Sequence, residues 1–196
     1  MSEEHSEVSE DRIFFLGNQD VIVDDFDASR LILDIGGGGE GIIGQMKGKQ
    51  AVAIDPSRRE LEEAADGPLK IVMDAGDMLF LDDTFDVVTS FFTLMYIKGS
   101  KHEKVFEEAF RVLVSRGQFL IWDVDLPQCL DEERDIVAFH LNIKLPDREI
   151  ETGYGTKWPE QRQGLPYYRE IAERVGFVAS DRKESGRVFY LELQKP

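Results

Sequence analysis

The sequence has almost no cysteine, no long apolar run and a shortage of positive charge. Cys129 is the single cysteine among 196 residues, which excludes an intramolecular disulfide framework and fits a reducing cytoplasm. No apolar run reaches the roughly 18 residues of a membrane span. The acidic N-terminus also lacks the basic-then-apolar pattern of a signal peptide. We therefore expect a cytoplasmic protein that contacts no membrane.

The charge balance limits the partners of the chain. Lys and Arg together number 23 against 39 Asp and Glu, so the formal net charge is −16. A field of that sign repels phosphate backbones, and we expect no nucleic-acid partner. Small molecules, or basic or neutral partners, are better tolerated. His5, His102 and His140 are scattered, so no metal site is predicted.

The order of elements predicts the fold class. Residues 1–11 carry five acids and no Lys or Arg, and we expect a disordered tail followed by one domain over 12–196. Residues 12–28 contain apolar runs that fit either short strands or a loop cap. Five later runs predict buried strands: 31–33, 51–54, 69–73, 85–89 and 119–122. Three segments predict helices: 58–65, 102–114 and 166–175.

This alternation predicts an α/β fold with a Rossmann-like, doubly wound, mostly parallel sheet. Residues 177–183 and 188–194 predict a C-terminal antiparallel hairpin. Period-two alternation on both sides of Pro146-Asp147 predicts a second, inserted β-hairpin at about 136–158. Ser57 and Glu60 predict a capping box at the start of the helix over 58–65.

The strongest chemical signal is the glycine-rich segment over residues 34–41, directly after the first predicted buried strand. Its glycines permit a tight turn and a close approach of the backbone to a ligand, while the following helix presents free N–H groups. The spacing of Gly36, Gly38 and Gly41 also satisfies the dinucleotide fingerprint. The segment therefore predicts a nucleotide-containing cofactor without choosing its class.

Three acids favour S-adenosylmethionine over a nicotinamide cofactor. Asp34 lies where the first strand ends, and its carboxylate suits the ammonium of a methionine moiety but would repel a pyrophosphate. Asp55 follows the second strand and is placed to accept hydrogen bonds from two ribose hydroxyls. Asp74 and Ala75 follow the third strand, where they suit the adenine amine and a ring nitrogen. The carboxyl ends of three successive strands thus each carry an acid.

These motifs resemble class I S-adenosylmethionine-dependent methyltransferases, in the small-molecule branch often called methyltransferase type 11. The resemblance spans residues 30–124, through the segments 32–38, 53–57, 74–88 and 110–121. It implies that Ser90 and Phe91 lie near the sulfonium. The third glycine of the motif usually falls at the position of Glu40. The cofactor-binding residues predicted from the pattern and the resemblance are Asp34, Gly36, Gly37, Gly38, Asp55, Pro56, Asp74, Ala75, Ser90 and Phe91.

The expected reaction is an in-line methyl transfer to an O, N, S or C atom of a small-molecule acceptor. Alignment and exclusion of water supply most of the acceleration, so a catalytic base is optional. The catalytic residues stay unassigned, with His140 and Asp123 as candidates. Six aromatic residues are candidates for an acceptor pocket that faces a sulfonium: Phe91, Phe92, Tyr96, Trp122, Tyr154 and Trp158.

Several alternatives stay open at this point. The inserted hairpin is expected either to contribute Tyr154 or Trp158 to the acceptor pocket, or to extend the sheet edge or mediate a homodimer. The whole chain is alternatively a non-catalytic cofactor-binding module. A nicotinamide-dependent oxidoreductase would need a nicotinamide half-site beyond the fourth strand, and the sequence shows none.

The choice of cofactor can be tested by thermal stabilisation. A ligand at 100 times its dissociation constant stabilises the folded state by about 2.7 kcal/mol. For a chain of this size that corresponds to a rise of roughly 5–10 °C in melting temperature. We expect S-adenosylhomocysteine to produce this rise in a melting curve and NADH to produce none. The reverse pattern would contradict the predicted cofactor.

Overall fold

The computed structural model describes residues 9–129 and 133–196. Within these ranges, strands and helices alternate as the sequence predicts. The strands are β1 (Ile13–Ile22), β2 (Ile32–Ile35), β3 (Ala51–Asp55), β4 (Leu69–Val72), β5 (Phe85–Phe91), β6 (Leu113–Val124), β7 (Ile136–Lys144), β8 (Glu149–Lys157), β9 (Val178–Ser185) and β10 (Val188–Gln194). The α-helices are α1 (Ile42–Lys47), α2 (Arg58–Glu63), α3 (Gly99–Val112) and α4 (Leu165–Val175).

The main sheet has seven strands in the order β4-β3-β2-β5-β6-β10-β9. The five strands from β4 to β6 are parallel, whereas β10 is antiparallel to both β6 and β9. The predicted α/β class with a mostly parallel sheet is confirmed. All four residues of β2 are buried, because neighbouring strands flank it and further elements cover both of its faces.

A second sheet of three strands, β1-β7-β8, covers one face of the main sheet. β1 is parallel to β7, so the ambiguous segment near the N-terminus forms a strand that pairs with the inserted hairpin. β7 and β8 are antiparallel. Because its strand partner is β1, the hairpin does not extend the main sheet. Its buried residues, among them Val137, Phe139 and Leu141, pack in a common core with β5 and β6.

Helices α3 and α4 cover the opposite face. α3 contributes Val105, Phe106 and Ala109 to the larger core, where they meet Phe119 of β6 and Tyr168 of α4. The apolar stripe of α3 follows the helical period that the sequence predicts. No helix within the described ranges is long and apolar enough to cross a membrane.

The predicted start of α2 is half correct. The Ser57 side chain accepts a hydrogen bond from the Glu60 amide at 3.3 Å, as a capping residue does. The reciprocal bond of a capping box does not form, because the Ser57 amide donates to the Asp55 carboxylate at 2.7 Å. Residues 1–8 of the predicted acidic tail lie outside the described residues, and Glu10–Arg12 form a single 3-10 turn.

The core between α3 and the sheet predicts a large cost for one truncation. The Phe106 ring is fully buried and lies 5.4 Å from the Phe119 ring and 6.3 Å from the Tyr168 ring. We expect Phe106→Ala to lower the free energy of unfolding by about 3–5 kcal/mol, because it leaves a cavity. Urea denaturation measures this difference. Leu79→Ala, at a side chain that is 83% exposed, is the control and should cost less than about 0.5 kcal/mol.

Candidate functional site

A cavity of about 1000 Å³ opens at the carboxyl ends of β2, β3, β4 and β5. Its walls are the glycine-rich loop, the acidic strand ends, the loop after β5 and the inner side of β8. Eleven residues that the sequence singled out line it: Asp34, Gly36, Gly38, Asp55, Pro56, Asp74, Ala75, Phe91, Phe92, Tyr96 and Tyr154. The two sheets together therefore gather residues that are up to 120 positions apart in the chain.

The glycine-rich loop is held close to its neighbours. The Gly36 amide donates to the Ile54 carbonyl at 2.8 Å, and the residue has a φ of +72°. A Cβ at Gly36 would lie 2.2 Å from the Thr93 hydroxyl oxygen, so only glycine allows the loop after β5 to approach. Gly37 is buried against Asp34 and Ala53 and does not line the cavity.

Asp34 is a buried carboxylate at the base of the cavity. It is 2% exposed, and the Thr89 hydroxyl donates to its Oδ1 at 2.8 Å. Burial raises the pKa of Asp34 to about 7, and the nearby negative charge of Asp55 acts in the same direction. No described Lys, Arg or His forms an ion pair with it. A cationic group that entered the cavity would stabilise its ionised form.

The other two acids differ from Asp34 in exposure. Asp55 is half-buried, and burial raises its pKa, while hydrogen bonds from the Ser57 and Gly38 amides partly oppose that shift. Asp74 is exposed. Its pKa is lowered first by the Gly76 amide at 2.8 Å and then by the Lys101 ammonium at 3.0 Å. The cavity thus holds a carboxyl group with a raised pKa, that of Asp34, and one with a lowered pKa, that of Asp74.

Two predicted pocket residues lie elsewhere. Trp122 lines a second cavity, of about 590 Å³, and its ring lies 5.0 Å from the Tyr190 ring. Trp158 packs its ring 5.3 Å from Phe14, and its indole N–H donates to the Arg134 carbonyl. Neither tryptophan lines the first cavity, because both side chains fill the spaces around the small sheet.

The predicted cofactor residue Ser90 and the two candidate bases also lie outside the cavity lining. Ser90 is fully buried, and its hydroxyl has no hydrogen-bond partner among the described residues. His140 is exposed on the outer side of β7, with its ring 5.1 Å from Phe15. Asp123 is fully buried and accepts from the Val124 amide at 2.8 Å. Burial raises the pKa of Asp123 to about 7.

The structure adds residues that sequence reasoning missed. Glu40, Thr93 and Lys101 all line the cavity. The Glu40 carboxylate accepts hydrogen bonds from the Thr152 hydroxyl and, at 3.1 Å, from the Tyr154 hydroxyl. The absence of the usual third glycine was the available signal for Glu40. Nothing local in the sequence pointed to its partners on β8.

The described cavity lining has an acidic bias. Six of its residues are acids, and two are lysines: Asp34, Glu40, Asp55, Glu60, Glu63 and Asp74 against Lys98 and Lys101. One of the two lysines, Lys101, is already paired with Asp74. Such a cavity favours a ligand that carries positive charge over one that carries phosphates.

Comparison with known proteins supports a family for the central segment. Residues 33–121 match the family model described as a methyltransferase domain. The match includes every residue that lines the cavity except Gly153 and Tyr154 of the hairpin. No curated protein sequence matches the chain.

Solved structures share the fold. A protein from Pyrococcus horikoshii OT3 has a TM-score of 0.62 at 18% identity, over 86% of this chain and 84% of its own. An S-adenosylmethionine-dependent methyltransferase from Mesorhizobium loti has a TM-score of 0.59 at 14% identity, over 84% and 90%. Another from Clostridium acetobutylicum has 0.58 at 12% identity, over 84% and 83%. At these identities the likeness establishes the common fold alone.

The buried carboxylate predicts a pH dependence of stability. The pKa of Asp34 is about 7 in the folded chain and near 3.8 when unfolded, so the folded state binds the proton more tightly. Stability from this group is therefore full below about pH 4 and is lost as pH rises through 7. We expect Asp34→Asn to remove a fall on the order of 2 kcal/mol between pH 5 and 8. Urea denaturation at both pH values measures it, and equal pH slopes for the two proteins would contradict the prediction.

Proposed function

We propose that this chain, in which residues 33–121 form a class I S-adenosylmethionine-dependent methyltransferase domain, methylates a small molecule that is neutral or basic. The observation that carries the proposal is the single cavity in which a glycine-rich loop and the acids of three strand ends meet. S-adenosylmethionine, when bound, supplies an electrophilic methyl group on a sulfonium.

In the proposal each of the three acids binds a different part of the cofactor. Asp34 would hold the ammonium of the methionine moiety, since it is buried and has no internal cation. Asp55 would accept hydrogen bonds from the ribose hydroxyls, because its carboxylate is half-exposed at the end of β3. Asp74 and Ala75 would contact the adenine. A positive ligand group beside Asp34 lowers the pKa of this carboxyl, so binding favours its ionised form.

The remaining walls of the cavity would serve the sulfonium and the acceptor. Gly36, Gly38 and Pro56 bring backbone close to the ligand, and Phe91 supplies an aromatic face near the end of β5. Tyr96 is 51% exposed and stands at the opening, whereas the Tyr154 ring stacks on Phe92 with ring centroids 5.6 Å apart. We assign these two tyrosines to the acceptor pocket.

Methyl transfer from a sulfonium does not require a dedicated catalytic acid or base. The acceptor atom attacks the methyl carbon as the carbon–sulfur bond breaks, and any proton of the acceptor leaves to solvent or to a nearby carboxylate. Alignment and exclusion of water are the contributions that the protein walls make. The positions of His140 and Asp123 outside the cavity lining agree with a mechanism that has no dedicated base. The net charge of −16 and the acidic cavity support a neutral or basic acceptor.

A labelled-methyl screen tests the proposal. The wild-type chain is incubated with methyl-labelled S-adenosylmethionine and a panel of small amines, phenols, thiols and carboxylic acids, with tRNA and a basic protein alongside. We expect label in a small amine, phenol or thiol and stoichiometric S-adenosylhomocysteine. For that acceptor, Tyr96→Ala should raise KM at least about tenfold, with the KM of the cofactor nearly unchanged. Label confined to tRNA or protein would contradict the proposal.

A further inference from the structure

Glu40 joins the two parts of the cavity wall that are farthest apart in sequence. It lies in the glycine-rich loop between β2 and α1. Its Oε1 accepts from the Thr152 hydroxyl, and its Oε2 accepts from the Tyr154 hydroxyl at 3.1 Å. Thr152 and Tyr154 are two residues apart on β8 and therefore point to the same side of the strand. Both carboxylate oxygens are thus occupied by the hairpin.

A second chain of contacts reaches the same loop. The Arg148 guanidinium, in the turn of the hairpin, donates to the Gln45 side-chain oxygen at 2.8 Å. The Gln45 side-chain amide in turn donates to the Glu40 carbonyl. The turn before β8 and the middle of β8 are therefore both linked to the glycine-rich loop and the start of α1.

Besides these contacts, β8 is positioned over the cavity by its pairing with β7, by the Tyr154 ring on Phe92 and by the Thr156 hydroxyl, which donates to the Met95 carbonyl at 3.3 Å. It is an outer strand of the small sheet and pairs with β7 on one side only, within the described residues. Its residues alternate between exposed and half-buried along the whole strand, whereas β7 alternates with fully buried residues. Few buried contacts permit local opening at low cost in free energy. The hydrogen bonds to Glu40 therefore contribute a larger share of the local stability of β8 than two such bonds would contribute in a core strand.

We propose that Glu40 is a positioning residue that couples the glycine-rich loop to the hairpin, so that the state of the cofactor site sets how firmly β8 closes over it. The coupling rests on the proposed function, since it requires the cofactor to order the loop. The residue type fits the task. A glycine at this position has no side chain to reach β8, and a glutamine offers one acceptor oxygen in place of two.

Hydrogen exchange of the full chain, read by mass spectrometry, tests the proposal. The proteins are wild type, Glu40→Ala, Glu40→Gln and Tyr154→Phe. Glu63→Gln is the matched control, because it removes another carboxylate of the cavity lining, one that pairs with Arg59 within α2. Each protein is measured without ligand and with S-adenosylhomocysteine. Amides of α3 and β5 report whether the fold is intact.

Without ligand, we expect amides over 149–157 to exchange at least about tenfold faster in Glu40→Ala than in wild type, because two hydrogen bonds to a charged acceptor are lost. Glu40→Gln and Tyr154→Phe should lie between the two, and Glu63→Gln should match wild type. With S-adenosylhomocysteine, amides over 34–41 should be protected in both wild type and Glu40→Ala. Those over 149–157 should gain protection in wild type alone.

Three results would overturn parts of the proposal. Equal exchange over 149–157 in unliganded wild type and Glu40→Ala would show that Glu40 does not hold the hairpin. Equal ligand-induced protection of that strand in both proteins would refute the coupling. If S-adenosylhomocysteine protected no segment of the wild-type chain from exchange, that result would contradict both the proposed function and the coupling. The unliganded comparison would still decide whether Glu40 holds β8.

Discussion

The parallel register of β2 between β3 and β5 is the constraint on which the rest of the structure depends. Asp34 lies opposite Ala53 on one side and Thr89 on the other, and Ile35 lies opposite Ile54 and Ser90. Because the three strands run in one direction, the segments that follow them emerge at one edge. A shift of a single residue would turn Asp34 to the other face of the sheet and separate it from Thr89.

The same register gives the cavity its electrostatic character. Asp34 is buried with a single side-chain donor and a raised pKa, whereas Asp74 lies in solvent with a lysine beside it. A buried carboxylate without a cation lowers stability at neutral pH, because no positive group of the protein offsets the free-energy cost of removing its charge from water. Such a group is common where a ligand supplies the missing charge. S-adenosylmethionine, the proposed cofactor, would supply that charge with its ammonium.

The small sheet adds to the cavity two residues that lie outside the segment matched by the family model. The family match ends at residue 121, before β7 and β8, which contribute Gly153 and Tyr154 to the cavity lining. Glu40 replaces a glycine of the motif and faces this added hairpin. Thus the glycine-rich loop of the matched segment and a hairpin outside that segment meet in space through Glu40.

Periodicity was sufficient to predict the parallel sheet and the two hairpins, because this signal is local and repeats with the period of each element. Glycines, strand-end acids, aromatic residues and the family resemblance together indicated eleven residues of the cavity lining. The pairing of β1 with β7 could not be predicted, since it joins segments over 120 residues apart through backbone hydrogen bonds. Trp122 and Trp158 carry the same local signal as Tyr96 and Tyr154. Only the packing of the two sheets decided which of these aromatic rings fill cores and which face the cavity.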